Sequence, residues 1–256
     1  LYNSAYIIQA GNIKLIQDKI HLPNTDVFDE KRYFSSGESQ SVIEIAGKRL
    51  GLAICEDAWT YDATGTPLYS HDPIEQLAQK QVDLMVVLSA SPFELGKKEL
   101  RQSLFLAHAK RHHVPVVVVN QVGGNDQLIF DGNSFVLNEE GSCIHTLAGF
   151  KEDEYVFCLD DVNKTQESAV APDNKNKDIK DIHDALVLGI RDYVTKTGFK
   201  SVILGLSGGI DSAVVAALAV EALGSTQVNG VLMPSQYSSA GSLADAKDLV
   251  KKPKIN

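Results

Sequence analysis

The sequence predicts an α/β protein built as two layered units, and three observations carry that expectation. Apolar runs of strand length at Arg49–Cys55, Asp83–Ser89 and Val114–Asn120 alternate with segments of helical spacing. A polar stretch at residues 161–177, poor in large apolar side chains, follows the β-rich half. Beyond it, Ser201–Leu223 and Val228–Pro234 read as strand, glycine-rich turn, helix and strand, the order of a parallel βαβ unit with a right-handed crossover. The expected domains are residues 1–160 and 178–256, joined by a linker at 161–177.

In chain order, Ala5–Ala10 and Ile13–Gln17 form a hairpin through Gly11-Asn12. Residues 18–38 are a polar loop rich in turn residues and aromatics, of the kind that carries function. Ser41–Ala46 and Arg49–Cys55 make a second hairpin through Gly47-Lys48. Asp72-Pro73 starts a helix, with an N-cap carboxylate and proline at the first helical position, turning Ile74, Leu77 and Ala78 inward. A buried strand at Asp83–Ser89 leads into a loop with Pro92 and Gly96. A helix over Lys98–His113 then places Leu100, Leu104 and Ala107 on one face. Val114–Asn120 is a fully apolar strand, residues 121–133 a turn-rich connector, and Ser134–Asn138 with Cys143–Leu147 a hairpin around Glu139-Glu140-Gly141. Tyr155–Leu159 reads as the last strand of this half. After the linker, a helix over Asp178–Thr197 carries Ile179, Ile182, Leu186, Ile190 and Tyr193 as a core stripe, with Gly198 as its C-terminal cap. Val202–Leu204 and Val228–Pro234 are expected as buried strands, and Gly241–Val250 as a short final helix.

Bulk properties narrow the function. A chain of 256 residues with 44% hydrophobic side chains can bury a sizeable core, and its net charge of −9 argues against a nucleic-acid partner. The three cysteines, Cys55, Cys143 and Cys158, form no CxxC pair, which disfavours zinc or a disulfide framework and suits a reducing cytoplasm. Cys143 and Cys158 fall in strand patterns and are expected in the core, and the histidines show no ligand spacing. No apolar run has the length of a membrane span, and no membrane partner is expected. Because the chain opens on Leu1 and stops near a helix, both ends read as cuts through a longer protein.

The string Gly205-Leu206-Ser207-Gly208-Gly209-Ile210-Asp211-Ser212 lies between the expected strand and helix. Gly208 and Gly209 let backbone N–H groups approach an anion, and the first N–H groups of the helix point the same way. Ser207 and Ser212 add hydroxyls, and Asp211 is a carboxylate suited to Mg²⁺ beside a phosphate. Met233-Pro234-Ser235 falls on the same strand-end rim. The string lacks the Lys-Ser/Thr ending of the kinase and GTPase phosphate loop. It resembles the SGGxDS loop of the ATP pyrophosphatase, or PP-loop, family. That resemblance implies a grip on the pyrophosphate of ATP, with Met233 helping to hold the adenosine.

Cys55 ends an apolar strand and is followed by Glu56 and Asp57. From the residues alone it reads equally as a buried structural thiol or as a nucleophile at the rim of a site. The motifs around it are more specific. Residues 19–24 (KIHLPN), 28–34 (FDEKRYF), 54–59 (ICEDAW), 91–97 (SPFELGK) and 120–126 (NQVGGND) stand in the order found in the nitrilase-type glutaminase domain of the glutamine-dependent NAD synthetase family, with SGGIDS downstream. The resemblance covers nearly the whole chain. It implies a nitrilase-like α-β-β-α sandwich, truncated at its N-terminus, followed by the start of a Rossmann-like parallel-sheet PP-loop domain.

By the same resemblance Cys55 is the nucleophile toward the carboxamide of glutamine and Lys19 stabilises the oxyanion. Ser91 and Lys97 hold the substrate, Lys97 by its α-carboxylate. Glu30 and Glu56 are ancillary candidates that orient Lys19 or water. The general-base glutamate of the family triad is expected upstream of Leu1. Where the family has Tyr after Leu-Pro-Asn, lining the glutamine pocket, this chain has the smaller Thr25. The implied substrates are glutamine, ATP and deamido-NAD, with Mg²⁺ at Asp211, in a homo-oligomeric full-length enzyme. The 256 residues alone are expected to lack glutamine-dependent NAD synthesis. The rival readings are another glutamine-dependent PP-loop amide ligase and a non-catalytic nucleotide-binding remnant.

Overall fold

A computed structural model describes residues 1–25, 27–61, 66–164, 177–234 and 240–251. Contacts divide the chain into two compact units, Leu1–Gln121 with Gly132–Pro172, and Val122–Asp131 with Asp173–Asn256.

The first unit opens on the antiparallel hairpin of β1 (Ser4–Gln9) and β2 (Asn12–Asp18). After a loop holding a 3₁₀ turn at Glu30–Arg32 come β3 (Val42–Ile45) and β4 (Lys48–Ile54), also antiparallel. Helix α1 (Pro73–Gln79) is capped by Asp72, whose carboxylate accepts the N–H groups of Ile74 and Glu75. Then follow β5 (Leu84–Ser89), α2 (Lys97–His112) and β6 (Val116–Asn120). The next hairpin, β7 (Val122–Asn125) with β8 (Leu128–Asp131), belongs to the second unit, although the sequence suggests only a connector there. β9 (Phe135–Leu137) and β10 (Cys143–Thr146) return to the first.

One six-stranded sheet, in the order β10-β9-β6-β5-β4-β3, forms the frame, with β4, β5 and β6 parallel. Period-two alternation covers both faces. Ala53, Met85, Val87, Val116 and Val118 pack with Ile74 and Leu77 of α1 and Phe105 of α2. Leu52, Ile54 and Val86 pack on the other face with Ala5, Ile7 and Leu15 of the first hairpin. Three expectations fail in this unit. Tyr155–Leu159 is not a strand; Val156 is 90% exposed and the segment runs into a 3₁₀ helix at Leu159–Lys164. Cys158 is therefore exposed rather than in the core, while Cys143 of β10 is half-buried and packs against the core. Helix α2 buries Arg101, Phe105, His108 and Ala109, leaving Leu100 and Ala107 exposed. Its inward face holds a guanidinium, bonded to the Gly132 carbonyl at 3.4 Å, and an imidazole 2.8 Å from the Ala58 carbonyl. Those bonds let polar side chains occupy the core face.

In the second unit, α3 (Lys177–Lys196) precedes β11 (Val202–Gly205), α4 (Ile210–Leu223), β12 (Val228–Val231) and α5 (Ala240–Lys251). β11 and β12 are parallel, as a βαβ unit requires. Gly198 follows α3 at φ +81° and donates to the Thr195 carbonyl, as a cap does. The expected stripe of α3 is not core: Ile179, Ile182, Leu186 and Tyr193 are exposed, while Ala185, Val187, Leu188 and Val194 are buried. Neither strand is fully buried, since Ile203 is 73% exposed and Val231 is exposed as well. The expected linker falls mostly on residues 165–176, outside the described residues, as does Ser235. No helix among the described residues is long and apolar enough to cross a membrane.

Candidate active site

The parallel strands β4, β5 and β6 end side by side, placing Cys55, Ser89 and Asn120 at one sheet rim, where ligands bind in open α/β sheets. Cys55 is the first residue after β4 and begins a 3₁₀ turn, Cys55–Ala58. Its backbone lies at φ +45°. A non-glycine residue there costs about 1–3 kcal/mol and persists only where its surroundings hold it. Ser89, at the end of the neighbouring strand, has its hydroxyl 3.4 Å from the Cys55 thiol.

The thiol opens on a cleft of about 270 Å³ lined by Asn3, Lys19, Phe28, Glu30, Cys55 and Ser89, among others. Lys19 follows β2, and only 2% of it is exposed. Its ammonium meets the Glu30 carboxylate at 2.6 Å, and Asn3 reaches the other carboxylate oxygen at 3.4 Å. The chain places them by backbone bonds: Lys19 N–H donates to the Asn3 carbonyl, Gly37 N–H to the Lys19 carbonyl, and Glu30 N–H to the Pro23 carbonyl. A buried cation beside a thiol, steadied by a carboxylate, can stabilise an oxyanion formed at a bound carbonyl.

Glu56 accepts a hydrogen bond from Tyr69 at 3.0 Å. Burial pushes its carboxyl up, and burial together with Glu56 pushes the Tyr69 phenol well up. Tyr69 stacks on His21 at 3.9 Å between centroids, and burial lowers the imidazole's affinity for a proton. Asp57 is fully buried and accepts three backbone N–H groups, from Ile20, His21 and Ile54; burial pushes its carboxyl up against those bonds.

The structure thus brings together Lys19, Glu30 and Cys55. Glu56, Thr25, Ser91 and Lys97 do not line the cleft. Thr25 lies exposed in the loop before Glu30. Ser91 is buried, its N–H on the Asn120 side-chain oxygen at 3.0 Å, and Lys97 pairs with Glu94 at 3.2 Å at the start of α2. Ser89 and Asn3 carry no sequence motif of their own. Pairing β4 with β5 in parallel, Ile54 opposite Leu88, is the signal that sets Ser89 beside Cys55.

In the second unit, Gly205 ends β11, Leu206 is buried, and Ser207 to Gly209 turn the chain into α4. Gly208 adopts φ +81°, a conformation that favours glycine. The serines tie the turn: their hydroxyls are 3.1 Å apart, Ser212 donates to the Gly209 carbonyl, and Gly209 N–H donates to Ser207 Oγ. No side chain caps α4, so its first N–H groups, at Ile210, Asp211 and Ser212, are left for an outside acceptor. Met233 lies against Gly205, its Cε 3.1 Å from where a Cβ would stand. This fits a phosphate chain. Asp211 is exposed, and no cluster of three metal-ligating side chains occurs among the described residues. A lone carboxylate suits Mg²⁺, which binds through one or two carboxylates, substrate phosphates and water.

Known proteins share both halves of this arrangement. The carbon-nitrogen hydrolase family model matches residues 1–167, and the NAD synthase model residues 182–256. The glutamine-dependent NAD(+) synthetase of a Synechocystis strain is 46% identical over 257 residues, covering 100% of this chain and 46% of that protein. The enzyme of the same description from Acinetobacter baylyi is 39% identical over 251 residues, covering 98% and 44%. The structure of glutamine-dependent NAD+ synthetase from Acinetobacter baumannii with adenosine diphosphate superposes with a TM-score of 0.88 at 41% identity, covering 100% of this chain and 46% of that one. The chain spans about half the length of the curated relatives it matches. Through residues 1–167, with an NAD synthase segment in the same polypeptide, the chain belongs to the carbon-nitrogen hydrolase family.

Proposed function

We propose that the first unit releases ammonia from glutamine at Cys55, and that the second is part of the machinery for ATP-dependent amidation of deamido-NAD to NAD. The observation that carries this reading is Cys55 held at φ +45° at the end of β4, in one cleft with the buried Lys19–Glu30 pair. The thiolate attacks the side-chain carboxamide carbon of glutamine. The C–N bond breaks, the nitrogen takes up the proton that the thiol gave up and leaves as ammonia, and a thioester remains, which water hydrolyses to glutamate and free thiol. Lys19 balances the oxyanion charge in each tetrahedral intermediate, and Glu30 keeps Lys19 in place. Thr25, Ser91 and Lys97 take the amino-acid end of glutamine, Lys97 through the α-carboxylate, and Glu56 orders water near the nucleophile.

In the second unit, Ser207 to Ser212 bind and orient the pyrophosphate of ATP, and Gly205, Leu206 and Met233 border its nucleoside. ATP adenylates the nicotinate carboxylate of deamido-NAD with loss of pyrophosphate. Ammonia then displaces AMP to form the amide. Mg²⁺, when bound through Asp211, supplies charge neutralisation beside the phosphates. A cytoplasmic, homo-oligomeric full-length enzyme belongs to the same reading. A diazoketone analogue of glutamine tests the first step. Labelling is expected at Cys55, and equal labelling of Cys143 or Cys158 overturns its role.

A further inference from the structure

The geometry points to Asp57 as the positioning residue that locks the oxyanion-binding lysine to the nucleophile. The inference rests on the glutaminase reading of Cys55 and deepens it. One oxygen of Asp57 accepts the N–H groups of Ile20 at 3.0 Å and His21 at 2.9 Å, the two residues directly after Lys19. The other accepts the N–H of Ile54 at 2.9 Å, the residue directly before Cys55. A single carboxylate, 0% exposed, therefore joins two segments distant in sequence, each next to a residue of the cleft.

Its consequences differ on the two sides. On the Cys55 side, the bond to Ile54 closes a ring around Cys55 and Glu56. That ring opposes relaxation of the φ +45° backbone to an ordinary strand conformation. On the Lys19 side, the two amides fix where the chain leaves β2, so the ammonium projects into the same cleft as the thiol. A carboxylate suits this because each of its oxygens accepts more than one N–H, and charged acceptors make the stronger bonds. Asparagine in its place turns one of the two acceptors into an NH₂ donor facing N–H groups. Asp57 does not itself line the cleft; it acts through Lys19 and Cys55.

The test is the rate of alkylation of the 256-residue chain by iodoacetamide across pH, with each cysteine quantified by mass spectrometry. Asp57→Asn is expected to slow Cys55 about tenfold at neutral pH, because the lysine that faces the reacting thiol is no longer held in place. Lys19→Gln is expected to do the same. The double variant is expected to be within about twofold of Lys19→Gln, since one residue acts through the other. Labelling of Asp57→Asn at the unsubstituted rate, or an equal slowing by Asp57→Asn in the Lys19→Gln background, overturns the inference. Failure of Cys55 to be the fastest thiol in the unsubstituted chain overturns the glutaminase reading itself, and this inference with it. Should Asp57→Asn not fold, hydrogen exchange on the unsubstituted chain decides: the amides of Ile20, His21 and Ile54 are expected to open with one shared free energy, and separate openings refute the lock.

Discussion

Removing the charge of Glu30 should destabilise the first unit far more than loss of an exposed ion pair would. The Lys19 and Glu30 side chains are 3% and 15% exposed, and their charged atoms stand 2.6 Å apart. At an effective dielectric of about 20, unit charges at that separation attract by roughly 6 kcal/mol, against desolvation costs of several kcal/mol per ion. The net worth of the pair is therefore small, but removing one partner is not, because the other keeps its desolvation cost. Glu30→Gln leaves the more deeply buried ammonium without its counter-charge, and the expected loss is about 3–5 kcal/mol. Lys19→Met with Glu30→Leu removes both charges at similar volume and should recover most of that loss. Trp59, the chain's single tryptophan, packs against the first unit's core, so its fluorescence in urea follows this unit. A loss below about 1 kcal/mol for Glu30→Gln, the range of exposed pairs, would refute the argument.

Two further outcomes follow from the packing. Gly51 of β4 faces Leu77, and a Cβ there would stand 2.8 Å from Leu77 Cδ2. Gly51→Ala should cost about 1–3 kcal/mol by overpacking and Leu77→Ala about 2–5 kcal/mol by cavity formation. The double variant should lose less than their sum, which the same urea titrations check. In the second unit, His183 of α3 lies 3.1 Å from Asp184 and 3.0 Å from Glu221 of α4, and the bond to Asp184 followed by the pull of Glu221 raises its pKa. A raised folded-state pKa gives stability that is fully present below the unfolded value, about 6.5. That contribution is lost as pH rises through the higher folded value. Circular-dichroism melts should therefore show α3–α4 weakening upward from about pH 6.5, and His183→Gln should remove the slope.

The sheet of the first unit was legible because β4, β5 and β6 are covered on both faces and so read as unbroken apolar runs. Cys55, Lys19 and Glu30 were legible as motif residues. The inward face of α2 was not, because Arg101 and His108 occupy it through bonds to carbonyls that no periodicity reports. The β7–β8 hairpin escaped notice because its glycines read as loop. They serve instead for close approach: a Cβ on Gly124 would stand 3.4 Å from the Gly189 backbone of α3. Ser89 and Asp57 share one reason for being missed. The first meets Cys55 across strands, and the second acts through backbone amides, so neither needs a recognisable neighbour in sequence.

The α3 stripe shows why an amphipathic pattern names a face that can be covered rather than the face that is. Ile179, Ile182, Leu186 and Tyr193 repeat at helical spacing, yet α3 turns a neighbouring face inward. Polar contacts fix that rotation. Asp192 accepts the Gly124 N–H at 2.7 Å, Lys196 donates to the Gly124 carbonyl at 2.6 Å, and Arg191 donates to the Ala222 carbonyl of α4 at 3.2 Å. Hydrogen bonds to charged groups contribute about 1.5–3 kcal/mol each, comparable with burying a large aliphatic side chain. Small residues complete the choice. Ala185 of α3 is buried, as are Ala216, Ala219 and Ala222 of α4, while Val214 and Val215 of α4 stay exposed. Close approach of backbones and three charge-assisted anchors favour this rotation, so α3 buries Ala185, Val187, Leu188 and Val194 beside them and leaves Ile179, Ile182, Leu186 and Tyr193 outside.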